Sequence, residues 1–131
     1  MTTKRYRILL ADDDPEVQRA VQRAARRHNH EVLGVTLGAE VSEAATQFLP
    51  DLIVLDVAFP DADGRDVLGR LKVTPQTKDI PVLVWSGQLD RDSESRIALS
   101  LGAEDYVEKS GAELLIRKIE RVLLRLTDSA A

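Results

Sequence analysis

Four apolar runs in this chain of 131 residues lead into residues able to handle a metal or an anion. Asp12, Asp13 and Asp14 follow Ile8-Leu9-Leu10-Ala11, and Asp56 closes Leu52-Ile53-Val54-Leu55. Ser86 follows Pro81-Val82-Leu83-Val84-Trp85, and Lys109 comes soon after Tyr106-Val107. Carboxylates gathered closely repel one another unless a cation sits among them. An all-oxygen set of this kind suits Mg²⁺, which keeps several waters and binds through one or two carboxylates. Lys109 would supply a second, fixed cation, Ser86 a hydroxyl donor to an anion, and Asp56 a carboxylate nucleophile. Together these are the parts needed to receive a phosphoryl group, where charge neutralisation and in-line positioning do most of the chemistry.

Such residues converge only if the runs are neighbouring strands pointing the same way. Apolar runs and helical periodicities alternate five times along the chain. Asp14-Pro15 opens the first helix, with Asp at the cap and Pro in the first turn. Val17, Ala20, Val21, Ala24 and His28 make its inward stripe, leaving Gln18, Arg19, Gln22, Arg23 and Arg26 outward. A weaker second strand lies within Glu31 to Thr36, and Val41, Ala44, Ala45 and Phe48 mark a short helix ended by Pro50. The fully apolar third strand reads as central, covered on both faces. Val67, Leu68 and Leu71 form the next helical stripe, and Ile97, Ala98 and Leu101 another, stopped by Gly102. Tyr106-Val107, flanked by charges, suits an edge strand. In the last helix Ser110 and Glu113 have capping-box spacing, and Leu115, Ile119, Val122, Leu123 and Leu126 form the buried stripe. Repeated βα units imply one doubly wound α/β domain with a parallel sheet, whose ligands bind at the strands' C-terminal rim.

The composition bounds what that rim can do. A net charge of -4 lacks the positive balance of a self-sufficient nucleic-acid binder, so no direct nucleic-acid role is expected. The absence of Cys excludes disulfides and thiolate metal sites. No apolar run approaches the roughly 20 residues of a membrane span, and no secretory signal is evident. A cytoplasmic location without membrane association is the expectation.

The segments Ile8 to Pro15, Pro50 to Asp56, Pro60-Asp61-Ala62-Asp63-Gly64, Ile80 to Gly87 and Gly102 to Lys109, in this order and spacing, resemble the receiver domain of two-component response regulators. The resemblance covers nearly the whole chain and places the domain at residues 4–126, with 127–131 as a disordered tail. It implies a flavodoxin-like (βα)5 fold with a five-stranded parallel sheet of order 2-1-3-4-5. It also implies a phosphoacceptor switch rather than an enzyme. Asp56 would take phosphate from a phosphohistidine on a sensor histidine kinase or a histidine phosphotransfer protein. Asp13, Asp56 and the backbone carbonyl of Ala58 would hold Mg²⁺, with Asp12 acting mostly through water. Ser86 and Lys109 would contact the phosphoryl oxygens, and Ser86 and Tyr106 would carry the switch. Output to a downstream protein or domain, or homodimerisation, would use the face made by helix four, strand five and helix five. Ala58 and Gln88 occupy positions that in the family influence loss of the phosphate.

Two positions depart from the family pattern. Ser110 stands where Pro usually follows the Lys through a cis peptide. A cis bond without Pro costs about 2.5–4 kcal/mol, so a trans, rearranged loop is expected. Trp85 is bulkier than the usual aliphatic residue before Ser86.

Plainer readings apply elsewhere. Asp14 is a helix cap before it is a ligand, and Asp63-Gly64 is a capped turn. Tyr106 on its own is an edge-strand aromatic with a wet hydroxyl. His28 and His30 follow the first helix on the side of the sheet away from Asp56 and read as surface or boundary residues. The faces Arg19-Arg23-Arg26-Arg27 and Arg117-Lys118-Arg121-Arg125 read as solvated, and Leu114 and Leu124 fall off the buried stripe. Two rivals remain. One is a pseudo-receiver that never takes phosphate, for which the Lys109-Ser110 junction is the support. The other is a Mg²⁺-dependent phosphatase of the haloacid-dehalogenase kind using Asp12-x-Asp14.

Overall fold

Strand and helix alternate strictly from β1 to α5 in a computed structural model that describes residues 4–87 and 91–130, the side chains of 91–94 and 128–130 excepted. The elements are β1 (Arg7–Ala11), α1 (Pro15–Arg27), β2 (Glu31–Val35), α2 (Val41–Phe48), β3 (Leu52–Asp56), α3 (Gly64–Val73), β4 (Val82–Ser86), α4 (Arg91–Ser100), β5 (Asp105–Glu108) and α5 (Ala112–Ala130). A single 3₁₀ turn, Gly38–Glu40, leads into α2. All strand pairings are parallel, in the order β2-β1-β3-β4-β5, as the resemblance implies. Gln88 lies outside the described residues.

Alternation along the strands divides the core in two. Ile8, Leu10, Leu52, Val54, Leu83 and Trp85 face α1 and α5, where Val21, Ala24, Leu115, Ile119 and Val122 pack on them. Leu9, Ala11, Ile53, Leu55, Val84 and Tyr106 face the other way, onto Val41, Ala45, Leu68, Leu71 and Ala98. β3 and β4 are buried along their whole length, which is why they read as unbroken apolar runs. Among the described residues no helix is long and apolar enough to cross a membrane.

Register is what positions the rim. Ala11 pairs with Leu55, so Asp12 and Asp56 emerge side by side. Asp56 pairs with Trp85 and Ser86 with Glu108, which brings Lys109 to the same edge.

The structure corrects several expectations. Ser110 and Glu113 form no capping box: α5 begins at Ala112, and the carbonyl of Gly111 accepts its first-turn bond from the Leu115 N–H at 3.1 Å. Gly111 has φ +143, a conformation L side chains avoid, so the chain enters the helix one residue later than the Ser signal suggests. Glu113 is instead drawn to Arg27 and His28. The expected tail is helical, since α5 continues past Leu126 to Ala130. Leu101 is more than a third exposed rather than turned into the core. His30 is not a surface residue either, and Gln18 is half-buried. The His30 ring is buried, its Nδ1 accepts the Tyr6 N–H at 3.0 Å, and its Nε2 lies 2.7 Å from Glu120 of α5. Because Nδ1 is an acceptor, the proton sits on Nε2, which donates to Glu120 and ties α5 to the start of β1.

Candidate functional site

The loop leaving β1 is held by its own backbone and by α1. The Asp14 N–H donates to Asp12 Oδ1 at 2.9 Å, turning the Asp12 carboxylate toward the centre of the rim. Asp14 accepts from the Glu16 N–H at 2.8 Å, as expected of a helix cap. Gln18 supplies what no spacing argument offered. Its Nε2 donates to the carbonyls of Leu10, Asp12 and Val35 at 3.2, 3.0 and 3.1 Å, stitching the ends of β1 and β2 beneath the acidic loop. A Cβ at Gly34 would come within 2.1 Å of Gln18 Oε1, so Gly34 makes room for this clasp.

Asp56 is held from the opposite side. Its Oδ1 accepts the Ala58 N–H at 3.3 Å. The N-terminus of α3 sits so close behind it that a Cβ on Gly64 would lie 2.4 Å from the Asp56 carbonyl oxygen. Asp63 caps α3, as read from the sequence, through the Arg65 N–H at 2.9 Å. Asp61 accepts from the N–H groups of Gly38 and Ala39 at 2.9 and 3.0 Å, fastening the β3–α3 loop to the turn before α2.

Lys109 comes from the far side of the rim. Its N–H donates to the Ser86 carbonyl at 3.0 Å, continuing the β4–β5 pairing by one residue. Its Nζ lies 2.7 Å from Asp12 Oδ2, a contact poorly aligned for a hydrogen bond, and donates to Asp56 Oδ2 at 3.1 Å. The ammonium also stands over the Trp85 ring, 5.3 Å from its centroid. No cis peptide bond occurs among the described residues, in keeping with Ser110 after Lys109.

Asp12, Asp13 and Asp56 each offer an oxygen within 4.8 Å of the others, the only such donor group among the described residues. Asp12 and Asp56 are buried and Asp13 is exposed, so the set opens to solvent on the Asp13 side. Asp14 is not part of it. Burial pushes the Asp56 carboxyl above its ordinary value; Lys109 pulls it back only in part, and the smaller contributions of Asp12, which raises it, and the Ala58 N–H, which lowers it, leave it raised. Burial alone would lower the Lys109 ammonium, but the paired carboxylates of Asp12 and Asp56 outweigh it and hold it charged. Two carboxylates this close with one ammonium leave surplus negative charge. An all-oxygen donor set with surplus charge fits a hard divalent cation such as Mg²⁺.

Ser86 is buried at the end of β4, beside this cluster in register. Tyr106 departs from the wet-hydroxyl reading. Its ring is buried with Val84 and Ala98, and its hydroxyl has no hydrogen-bond partner among the described residues. The arginine faces are only partly solvated, since Arg27 pairs with Glu113 and Lys118 with Asp105.

The family description "Response regulator receiver domain" matches residues 8–120. Among curated proteins the chain is similar to the transcriptional regulatory proteins KdpE and PrrA of Mycobacterium tuberculosis. Identity is 33% over 124 residues and 38% over 128, covering 94% and 95% of this chain. The chain spans about half the length of these relatives, 53% and 52%. Among solved structures it is similar to the phosphorylated cyanobacterial phytochrome response regulator RcpA, with TM-score 0.78 and 30% identity over 92% of this chain and 95% of that one. With the sheet order, the acidic rim and the ammonium in place, the chain belongs to the receiver domains of two-component response regulators.

Proposed function

We propose that this receiver domain is a phosphoacceptor switch in which Asp56 takes a phosphoryl group from a phosphohistidine of a sensor histidine kinase or a histidine phosphotransfer protein. The observation that carries the reading is the double engagement of Asp56. Its carboxylate belongs to the three-Asp donor group and also accepts from Lys109 through Oδ2. Asp13, Asp56 and the Ala58 carbonyl would hold Mg²⁺, with Asp12 acting through water. When bound, the ion supplies positive charge to the phosphoryl oxygens and to the attacking carboxylate.

The chain's own groups do the rest. An Asp56 oxygen attacks phosphorus as the P–N bond of the donor breaks, and the imidazole leaves with the bonding pair. The Lys109 ammonium on Asp56 favours the ionised, nucleophilic form of the carboxylate. Lys109, already on Asp56, follows the negative charge outward onto a phosphoryl oxygen. Ser86 donates to another from the end of β4.

The acyl phosphate carries nearly two negative charges at the rim where the carboxylate carried one. Ser86 moves toward it, and the space behind Ser86 decides where the Tyr106 ring rests. Such a change is a population shift between two existing arrangements, not a new fold. The readout face is α4-β5-α5, where Leu99 and Leu114 are about half exposed. It would meet an output protein or domain, or a second copy of this chain.

Intact mass after incubation with acetyl phosphate and Mg²⁺ tests the reading. Wild type gains one phosphoryl group, and Asp56→Asn gains none. A wild type that stays unmodified would point to a pseudo-receiver. No observation favours a phosphatase, because Asp14 caps α1 instead of joining Asp12.

A further inference from the structure

We propose that Trp85 is the positioning residue for Lys109, its indole face forming the floor on which the ammonium is held against Asp12 and Asp56. The inference rests on the phosphoacceptor reading and deepens it. Lys109 needs such a floor. One backbone hydrogen bond, to the Ser86 carbonyl, anchors it, and the chain continues through Ser110 and Gly111. Neither restrains the backbone as Pro would, and Gly is the most permissive residue of all. The Lys stem adds four rotatable bonds of its own. Attraction to two carboxylates fixes a distance but not a direction of approach.

Trp85 supplies the missing side. It pairs with Asp56 on β3 and with Val107 on β5, so its ring is centred under the rim. It is 3% exposed and wedged against Val21 and Leu115, which makes it rigid. The Lys109 ammonium lies 5.3 Å from the ring centroid, inside the range where a desolvated cation is attracted to an aromatic face. The indole N–H argues that packing is not the reason for a Trp here. It is buried with no hydrogen-bond partner among the described residues, which is costly, and an apolar residue would fill the site without that cost. What Trp offers and Leu does not is a negative ring face toward Lys109. A cleft of ≈ 260 Å³ between the start of α1 and Gly111 reaches both residues, and a smaller side chain at position 85 would let the ammonium swing into it.

The test uses the full chain with Trp85→Phe and Trp85→Leu, each also in a Lys109→Met background. The first readout needs no phosphoryl chemistry. In metal-free protein the Lys109 ε-methylene proton resonance lies upfield from the ring current, stays upfield in Trp85→Phe and moves to the ordinary lysine position in Trp85→Leu. The second is the saturating rate of phosphorylation by acetyl phosphate with Mg²⁺. Trp85→Leu loses about three- to thirtyfold, the range a cation–π contact supports, while Trp85→Phe recovers most of it. Mg²⁺ affinity does not fall in either, and the Leu penalty vanishes in the Lys109→Met background. A Leu variant with an unmoved Lys109 resonance, a wild-type rate, or an equal loss without Lys109 overturns the proposal. Should Trp85→Leu fail to fold, Trp85→Met, closer in volume and without a ring, decides by the same readouts. A wild type that takes no phosphoryl group sinks the phosphoacceptor reading, and the Lys109 resonance then decides the placement of the ammonium by itself.

Discussion

Lys109 and Asp56, 53 positions apart in the chain, meet at 3.1 Å, and the same ammonium reaches Asp12 at 2.7 Å. One cation thus serves two buried carboxylates, with Asp13 adding a third at the solvent edge. The site is stable enough to fold and remains short of positive charge. That imbalance is the physical basis for both a divalent ion and a phosphoryl transfer at this rim.

Asp56 should cost the metal-free protein stability at neutral pH. Burial, reinforced by Asp12, raises its folded pKa above the ordinary value of 3.8. A raised value means its contribution is favourable below 3.8 and is lost as pH rises through the higher folded value. Asp56→Asn is therefore expected to be more stable than wild type at pH 7, on the order of 1 kcal/mol. Urea unfolding without metal checks this, and Mg²⁺ should narrow the gap by stabilising wild type more. A destabilised Asp56→Asn would contradict it.

Asp105 shows the opposite sign. Burial works against its charge, but its contact with Lys118 at 2.8 Å and the Tyr106 N–H together lower its folded pKa. Its stabilisation is present above 3.8 and lost as pH falls through the lower folded value. The pair is about one-third exposed, so screening keeps the effect at about 0.2–1 kcal/mol. Asp105→Asn should lower stability at pH 7 by that amount, and the difference should close as pH falls through the folded value below 3.8, as read by urea midpoints across pH.

Gln18→Leu should loosen the acidic loop. It removes a donor from three carbonyls at the ends of β1 and β2, of which Val35 keeps the Asp12 N–H, with an expected loss of about 2 kcal/mol. Mg²⁺ affinity should fall with it, because the Asp12 carbonyl is one of the three. Gly34→Ala, which crowds Gln18 Oε1, should reproduce both effects more weakly. Calorimetric Mg²⁺ titration of the folded variants is the check. Unaltered affinity in Gln18→Leu would remove the residue from any role in the site.

Tyr106→Phe should stabilise the unphosphorylated domain by about 1 kcal/mol, since it deletes a buried hydroxyl without a partner. Thermal or urea unfolding reads this directly. A loss of stability instead would mean that the hydroxyl is satisfied and that the ring does not rest inward.

Much of this was legible in the sequence. Strand ends carry the chemistry, and the run Leu52 to Asp56 shows its own central position because both faces are covered. Asp14 and Asp63 announce their helices through local bonds that the sequence can foresee. Gln18 and His30 were not legible for the opposite reason. Their partners lie on other elements, at Val35 and Glu120, so nothing near them in the chain marks them as turned inward. Ser110 misled because a capping box is a local pattern, and Gly111 overrode it with a backbone turn that Ser does not favour. An aromatic on an edge strand taken alone suggests a wet hydroxyl, yet the Tyr106 face of β5 is covered by Ala98 of α4 and by Ala103.

The most direct measurement is the location of the phosphoryl group itself. After incubation with acetyl phosphate and Mg²⁺, borodeuteride reduction converts an aspartyl phosphate to labelled homoserine, which peptide mass mapping can place. The expected result is labelled homoserine at position 56 alone, absent without Mg²⁺. Label at Asp12 or Asp13, or none at all in folded wild-type protein, would contradict it.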